Sequence, residues 1–190
     1  MYLTEKEVQL LWKVQSIVLK LDEQNKDGSK FNFYDGPPFA SGNPHHGHLL
    51  TSTIKDTIIR FHLLCGHNVG RVWGWDTHGV PIESKANSEL NIKSKEDVVA
   101  MGIDKYNKEC RRYVMQCQEK WRTVISKIGR WVNMTDSYKT MDLDYMNSVW
   151  YMFKALYDKD LIYNGVKIMS YSPKLECPLS NNEANQNYKK

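Results

Sequence analysis

The sequence predicts an α/β fold with parallel strands, followed by a helical segment. Three features carry that expectation. Residues 30–76 read as strand, loop, helix and strand in succession, which is the pattern of a parallel crossover. The loops ending those two strands crowd glycine, proline, histidine and aspartate into short stretches. The later part of the chain carries long runs with apolar residues at helical spacing.

The first element is a helix marked by its end signals. In "LTEKEV", Thr4 is an N-cap, Glu7 closes a capping box, and Leu3 and Val8 are spaced as a hydrophobic staple. The pattern runs to about Leu21, and "DEQNKDGSK" follows as a polar loop with an Asp-Gly turn. "KFNFYD" alternates Phe31 and Phe33 with Asn32 and Tyr34, a short strand. From about Gly47 to Cys65 a helix is expected, with Leu50, Ile54, Ile58 and Phe61 or His62 as its apolar stripe and Gly66 as its stop. "HNVGRVWGWD" reads as the second strand, ending at Asp76. Tyr106, Cys110, Val114, Cys117, Trp121, Val124 and Ile128 mark one long helix. A second runs from about Asp142 to Tyr157 through Met146, Val149, Phe153 and Leu156. "LIYNGVKIMSYS" reads as a strand interrupted by Gly165, and "NNEANQNYKK" as a polar tail.

Composition narrows the class. The 190 residues are 41% hydrophobic, 12% aromatic and 25% charged, a globular mixture rather than a disordered or collagenous one. A net charge of +4 permits contact with a polyanion without requiring it. No apolar run approaches the roughly 18 residues of a membrane span, so a soluble protein is expected. The N-terminus carries acidic residues where a secretory signal is basic and then apolar, which points to the cytoplasm. Cys65, Cys110, Cys117 and Cys177 form no C-x-x-C pair, so no protein-bound metal is expected. Cys110 and Cys117 share a helix face as small apolar residues.

Ligands of open α/β sheets bind beyond the carboxyl ends of the strands. Two segments fall there, "DGPPFASGNPHHGH" after the first strand and "GWDTHGVPIE" at the end of the second. Gly36 has no side chain and lets backbone approach a ligand closely, while Pro37 and Pro38 make a stiff rim. His45 and His48 lie three apart at the first turn of a helix, so their imidazoles face the same way. The helix N-terminus beside them favours an anion, and a nucleotide triphosphate would suit it. The pattern is neither G-x-x-x-x-G-K-[ST] nor G-x-G-x-x-G. A metal at the two histidines would lack a third ligand nearby. Taken singly, the histidines could decorate a turn and Asp76 could cap a neighbouring helix.

Together the segments resemble one family. "HHGH" is similar to the His-Ile-Gly-His signature of class I aminoacyl-tRNA synthetases. "YDGPPFASG", "TIKDTIIRF" and "GWDTHGVPIE" resemble the isoleucyl branch, with the valyl branch second. The likeness continues through "GIDKYNKECRRYVM", "GRWVNM", "DSYKTMD" and "VWYMFKALYDKDLIYNGVKIMSYSP" to "PLSNNEANQNY", covering about residues 6–188.

The resemblance implies an incomplete Rossmann-like nucleotide-binding fold. It also implies activation of isoleucine by ATP with Mg²⁺, giving isoleucyl-adenylate and pyrophosphate, then transfer to tRNA(Ile). By matching position, His45 and His48 would contact the phosphates and adenosine and stabilise charge developing in the transition state, and Gly47 would leave room for the adenine. Gly36, Pro37 and Pro38 would line the amino-acid pocket, and Asp76 would hold the substrate ammonium. Residues 1–28 would be a helical extension, 29–180 the N-terminal half of the catalytic domain up to the editing insertion, and 181–190 a polar tail. The family's Lys-Met-Ser-Lys-Ser loop, editing region and anticodon-binding region are not among these residues. The chain is therefore expected to be a fragment that is inactive or nearly so alone. Two other readings remain at this level. One is a small nucleotidyltransferase, which shares a His-x-Gly-His loop. The other is a truncated or paralogous module that binds tRNA or another synthetase without catalysis.

Overall fold

The N-terminal helix forms where its caps place it, and then breaks. In the computed structural model, which describes residues 2–36, 38–174 and 176–185, α1 spans Glu5–Val14. Thr4 and Glu7 make the reciprocal capping box. The helix does not continue to Leu21 in one piece. Ser16 takes a left-handed φ of 50° and starts α2, Ile17–Gln24. The break re-aims the chain so that Trp12, Ile17, Val18 and Leu21 all pack on one cluster with Ile59, Leu63, Val69 and Trp131. It also moves the start of the polar loop to Asn25, since Asp22, Glu23 and Gln24 are helical.

The first strand is short. β1 is Lys30–Phe31, and α3 follows at His46–Leu64. Gly66, at φ +86°, ends α3 as its sequence position predicted. The second strand forms in two pieces, β2 (Asn68–Val69) and β3 (Val72–Trp75). β1 pairs parallel with β2, and the same two segments meet again in a parallel bridge between Phe39 and Asp76. Three helices follow: α4 (Val80–Leu90), α5 (Lys95–Met101) and α6 (Ile103–Lys127). β4, Asn133–Lys139, then pairs parallel with β3. The α/β pattern thus extends well past residue 76, with the β2–β3 segment between β1 and β4. The β3–β4 register shifts between Val72 and Gly74, where the Asn133 side-chain carbonyl accepts the N–H groups of Thr135 and Asp136 and folds the extra residues into a turn.

Parallel strands are covered on both faces, and β3 reads accordingly as Val-Trp-Gly-Trp. Trp73 and Trp75 pack with Trp121, Val114, Cys117 and Ile125 of α6, bearing out the long amphipathic helix. Such aromatic contacts contribute about 0.5–1.5 kcal/mol per pair beyond area burial.

Helix α3 corrects the expected stripe. Leu50, Ile54, Ile58 and Phe61 are exposed, and the buried face is Ser52, Asp56, Ile59 and Leu63. Asp56 earns its buried place by accepting the Trp131 N–H at 2.8 Å and pairing with Arg60 at 2.7 Å.

The chain divides into two compact units, Met1–Asn147 and Ser148–Lys190, with α7 (Leu143–Tyr157) running across the boundary. The helix forms where predicted, but none of its residues is buried. The strand expected over "LIYNGVKIMSYS" is absent apart from its end. Residues 161–170 are irregular, and β5 (Tyr171–Ser172) pairs antiparallel with β6 (Cys177–Pro178) before α8, Asn181–Ala184. The last five residues of the expected polar tail lie outside the described residues. Among the described residues, no helix is long and apolar enough to cross a membrane.

Gly28 is held by a close approach. A Cβ there would stand 2.2 Å from the Gly66 carbonyl oxygen, a backbone atom fixed by the α3 stop. Gly28→Ala is expected to cost about 1–3 kcal/mol of stability, read by chemical denaturation. An unchanged midpoint would show that this contact relaxes freely.

Candidate functional site

The two loops predicted to meet do meet, through their backbones. The Asp76 N–H donates to Pro38 O at 3.0 Å, and the Ala40 N–H returns to Asp76 O at 3.1 Å. This places Gly36, Pro38 and Phe39 along one side of a cavity of ≈ 180 Å³. His48, Thr51, Ser52 and Lys55 of α3 line it from the helix side, while Trp73 and Trp121 form its aromatic wall. Asp35 and Arg130 complete the lining.

His48 is held in one tautomer. His45 is the N-cap of α3, and its N–H donates to His48 Nδ1 at 3.2 Å. A neutral imidazole that accepts at Nδ1 carries its proton on Nε2. The two rings stack with centroids 3.6 Å apart. Burial, and secondly the neighbouring His45, hold His48 below the usual imidazole range. At neutral pH His48 is therefore an uncharged donor. Because its folded value is depressed, the folded state takes up its proton later than the unfolded chain does. The arrangement is unaffected above the ordinary imidazole value and loses stability as pH falls through and below it. An NMR titration of the His48 ring is expected to give a midpoint below that of a free histidine, and a midpoint above it would contradict the burial argument.

The glycines act in different ways. A Cβ on Gly47 would stand 3.1 Å from the His45 ring, so Gly47 makes room for that imidazole. A Cβ on Gly36 would meet nothing within 4 Å. Gly36→Ala is thus expected to leave stability within about 0.5 kcal/mol while filling space beside the cavity. Denaturation compared with ligand binding checks that separation. Pro37 lies outside the described residues. Asp76 is half-buried and accepts the His78 N–H at 3.4 Å, and it is not among the residues lining the His48 cavity. Its neighbour Thr77 lines a second cavity of ≈ 330 Å³ with His78, Cys110, Arg111 and Met146. Asp76 therefore stands in the chain between Trp75 of the core and Thr77 of that second hollow.

Residues that sequence reading passed over fix the loop. The Trp121 indole N–H donates to Gly42 O at 2.7 Å, and the Tyr113 hydroxyl donates to Ser41 O at 3.1 Å. The Trp121 ring also lies 4.8 Å from that of His48. Asp35 pairs with Lys55 and Arg130 at 2.5 and 2.6 Å. The available signal was Lys55, two helical turns beyond His48 and so on the same face. Among the described residues, no group of three or more His, Cys, Asp or Glu could hold a metal ion.

A histidine-bearing helix start and a second loop therefore meet at the carboxyl ends of parallel strands. The profile described as "tRNA synthetases class I (I, L, M and V)" matches residues 7–190, and the chain belongs to that family. Within it, the chain is 48% identical over 185 residues to a probable cytoplasmic isoleucine--tRNA ligase of Encephalitozoon cuniculi, covering 97% of this chain and 18% of that protein. It is 51% identical over 160 residues to the cytoplasmic isoleucine--tRNA ligase of Arabidopsis thaliana, covering 84% of this chain and 13% of that protein. The fold is similar to that in the LeuRS-tRNA-LeuAMS ternary complex of Agrobacterium radiobacter K84, with TM-score 0.67 and 19% identity over 88% of this chain and 19% of that one. The chain thus spans under a fifth of the length of these relatives.

Proposed function

We propose that these residues form the amino-acid-activating part of an isoleucine--tRNA ligase acting in the cytoplasm. The substrates are ATP, carried with Mg²⁺, isoleucine and tRNA(Ile). The observation that carries the reading is His48, with its Nδ1 taken by the His45 N–H, on the wall of a cavity whose other side is Gly36 and Pro38.

The isoleucine carboxylate attacks the α-phosphorus of ATP, a P–O bond to pyrophosphate breaks, and isoleucyl-adenylate remains for transfer to the tRNA 3′-terminal ribose. The protein needs no covalent intermediate for this, only positioning and stabilisation of developing charge. His48 Nε2–H donates to a phosphate oxygen, and His45 fixes the tautomer through its own N–H as well as contacting the nucleotide. Gly36, with Pro37 and Pro38, lets the amino acid lie against backbone. Asp76, at the strand end outside the His48 cavity, supplies the anionic partner for the substrate ammonium, reached from the Pro38 backbone that it hydrogen-bonds. Gly47 accommodates the adenine with the His45 ring beside it.

The test is calorimetric titration of the chain with a sulfamoyl analogue of isoleucyl-adenylate, together with the valyl analogue. Binding of the isoleucyl compound in preference to the valyl one is expected. Absence of binding with tRNA affinity retained would favour the non-catalytic module instead. Isoleucine-dependent ATP–pyrophosphate exchange is expected in a protein of the relatives' length carrying this segment, and at most weakly in these 190 residues alone.

A further inference from the structure

The cavity beside His48 carries a charge arrangement that the resemblance leaves unassigned. The Asp35 side chain is 3% exposed and sits between two cations. Arg130 donates to one carboxylate oxygen at 2.6 Å, and Lys55 to the other at 2.5 Å. The cations are not equivalent. Arg130 is 1% exposed, donates also to Ser52 Oγ at 3.3 Å, and lies 4.8 Å from the centre of the Trp73 ring. Lys55 is 31% exposed and lines the cavity on the α3 face that bears His48. One carboxylate against two cations leaves a surplus positive charge, and that surplus belongs to the more movable partner. A lysine ammonium is a compact charge on a rotatable stem, whereas the guanidinium is fixed by several directional bonds. Lys55 can leave Asp35 without stranding a buried anion, because Arg130 remains.

We propose that Lys55 is the anion-binding side chain of this cavity: it exchanges Asp35 for an oxyanion of the ligand, while Arg130 keeps Asp35 neutralised. The proposal rests on reading the cavity as the site of adenylate formation. The oxyanion is a nucleotide phosphate or the amino-acid carboxylate, which share the chemistry that an ammonium recognises. A partly enclosed cavity makes that charge contact stronger than it would be in open water. No bond is made or broken in the exchange.

The experiment is calorimetric titration of the full chain with ATP, inorganic pyrophosphate and isoleucine in turn, at low salt. Lys55→Gln is expected to weaken binding about tenfold or more, equivalent to about 1.4 kcal/mol. Loss for ATP and pyrophosphate identifies a phosphate, and loss for isoleucine identifies the carboxylate. Lys55→Arg, which keeps the charge, is expected to restore most of the affinity. If the parent chain binds and Lys55→Gln binds equally well, with only its melting temperature lowered, Lys55 is a structural partner of Asp35. The proposal then falls while the reading of the cavity stands. If the parent chain binds the isoleucyl-adenylate analogue but none of the three, the proposal falls while the reading of the cavity stands, and if it binds neither, both are overturned.

Discussion

Replacing His48 with alanine is expected to lower isoleucine-dependent ATP–pyrophosphate exchange by about 10²–10³-fold in a protein of the relatives' length, the usual consequence of removing one preorganised donor to a developing oxyanion. The expectation follows from the tautomer. With Nδ1 occupied by the His45 N–H, the remaining ring proton on Nε2 is committed before substrate arrives. No reorganisation is then required at the moment of reaction. His46 provides the control, since it is exposed and does not line the cavity. His46→Ala is expected to leave exchange near its starting value. The two variants should also differ in how the loss appears. His48→Ala should lower kcat more than it raises the KM for ATP, because the donor acts mainly on charge that grows in the transition state. Equal losses in His46→Ala and His48→Ala would mean that the helix start, rather than the His48 ring, is what matters.

The pairing of His45 with His48 was legible in the sequence because it is local. His45 stands just outside the helix with extended backbone, and it is the cap contact across three residues that holds it against His48. The two loops beyond the strand ends were found by a similarly local argument. What failed was the facing of α3. A hydrophobicity pattern chose Leu50, Ile54, Ile58 and Phe61 as the inner face, whereas Ser52 and Asp56 are buried beside Ile59 and Leu63. Polar residues occupy that face because each is satisfied, Ser52 by Arg130 and Asp56 by Arg60 and the Trp131 N–H. Arg130 and Trp131 are far along the chain, and periodicity cannot see them. β4 was missed for a related reason. Asn-Met-Thr-Asp-Ser-Tyr-Lys has little apolar alternation, and it is a strand because β3 offers it a parallel edge. Tyr138 fits there only because Gly74 opposite lacks a Cβ, which would fall 2.2 Å from the tyrosine ring.

The same long-range logic makes Asp35 a position where a single change should cost much stability. Asp35→Ala is expected to destabilise the chain by about 3–5 kcal/mol, because it leaves the Arg130 guanidinium buried without its counter-charge. That is a large share of the roughly 5–15 kcal/mol by which a domain is stable, so the variant is expected to populate unfolded states on mild heating. Arg130→Met should cost less, since Lys55 can still neutralise the Asp35 carboxylate. The asymmetry is the informative part, as a generic packing defect would give the two substitutions similar costs. The double replacement Asp35→Ala with Arg130→Met removes both buried charges and frees Lys55, which is already part-exposed and can turn to water. It is expected to recover part of the loss, giving a coupling energy of about 1–3 kcal/mol in a double-mutant cycle read by chemical denaturation. Additive costs would show that Asp35 and Arg130 are stabilised by their surroundings rather than by each other. Recovery of stability without recovery of analogue binding would separate the two duties of this pair. Asp35 immediately precedes Gly36 in the chain, so the bond that closes the buried charge network also fixes the start of the loop on which the amino acid is proposed to lie.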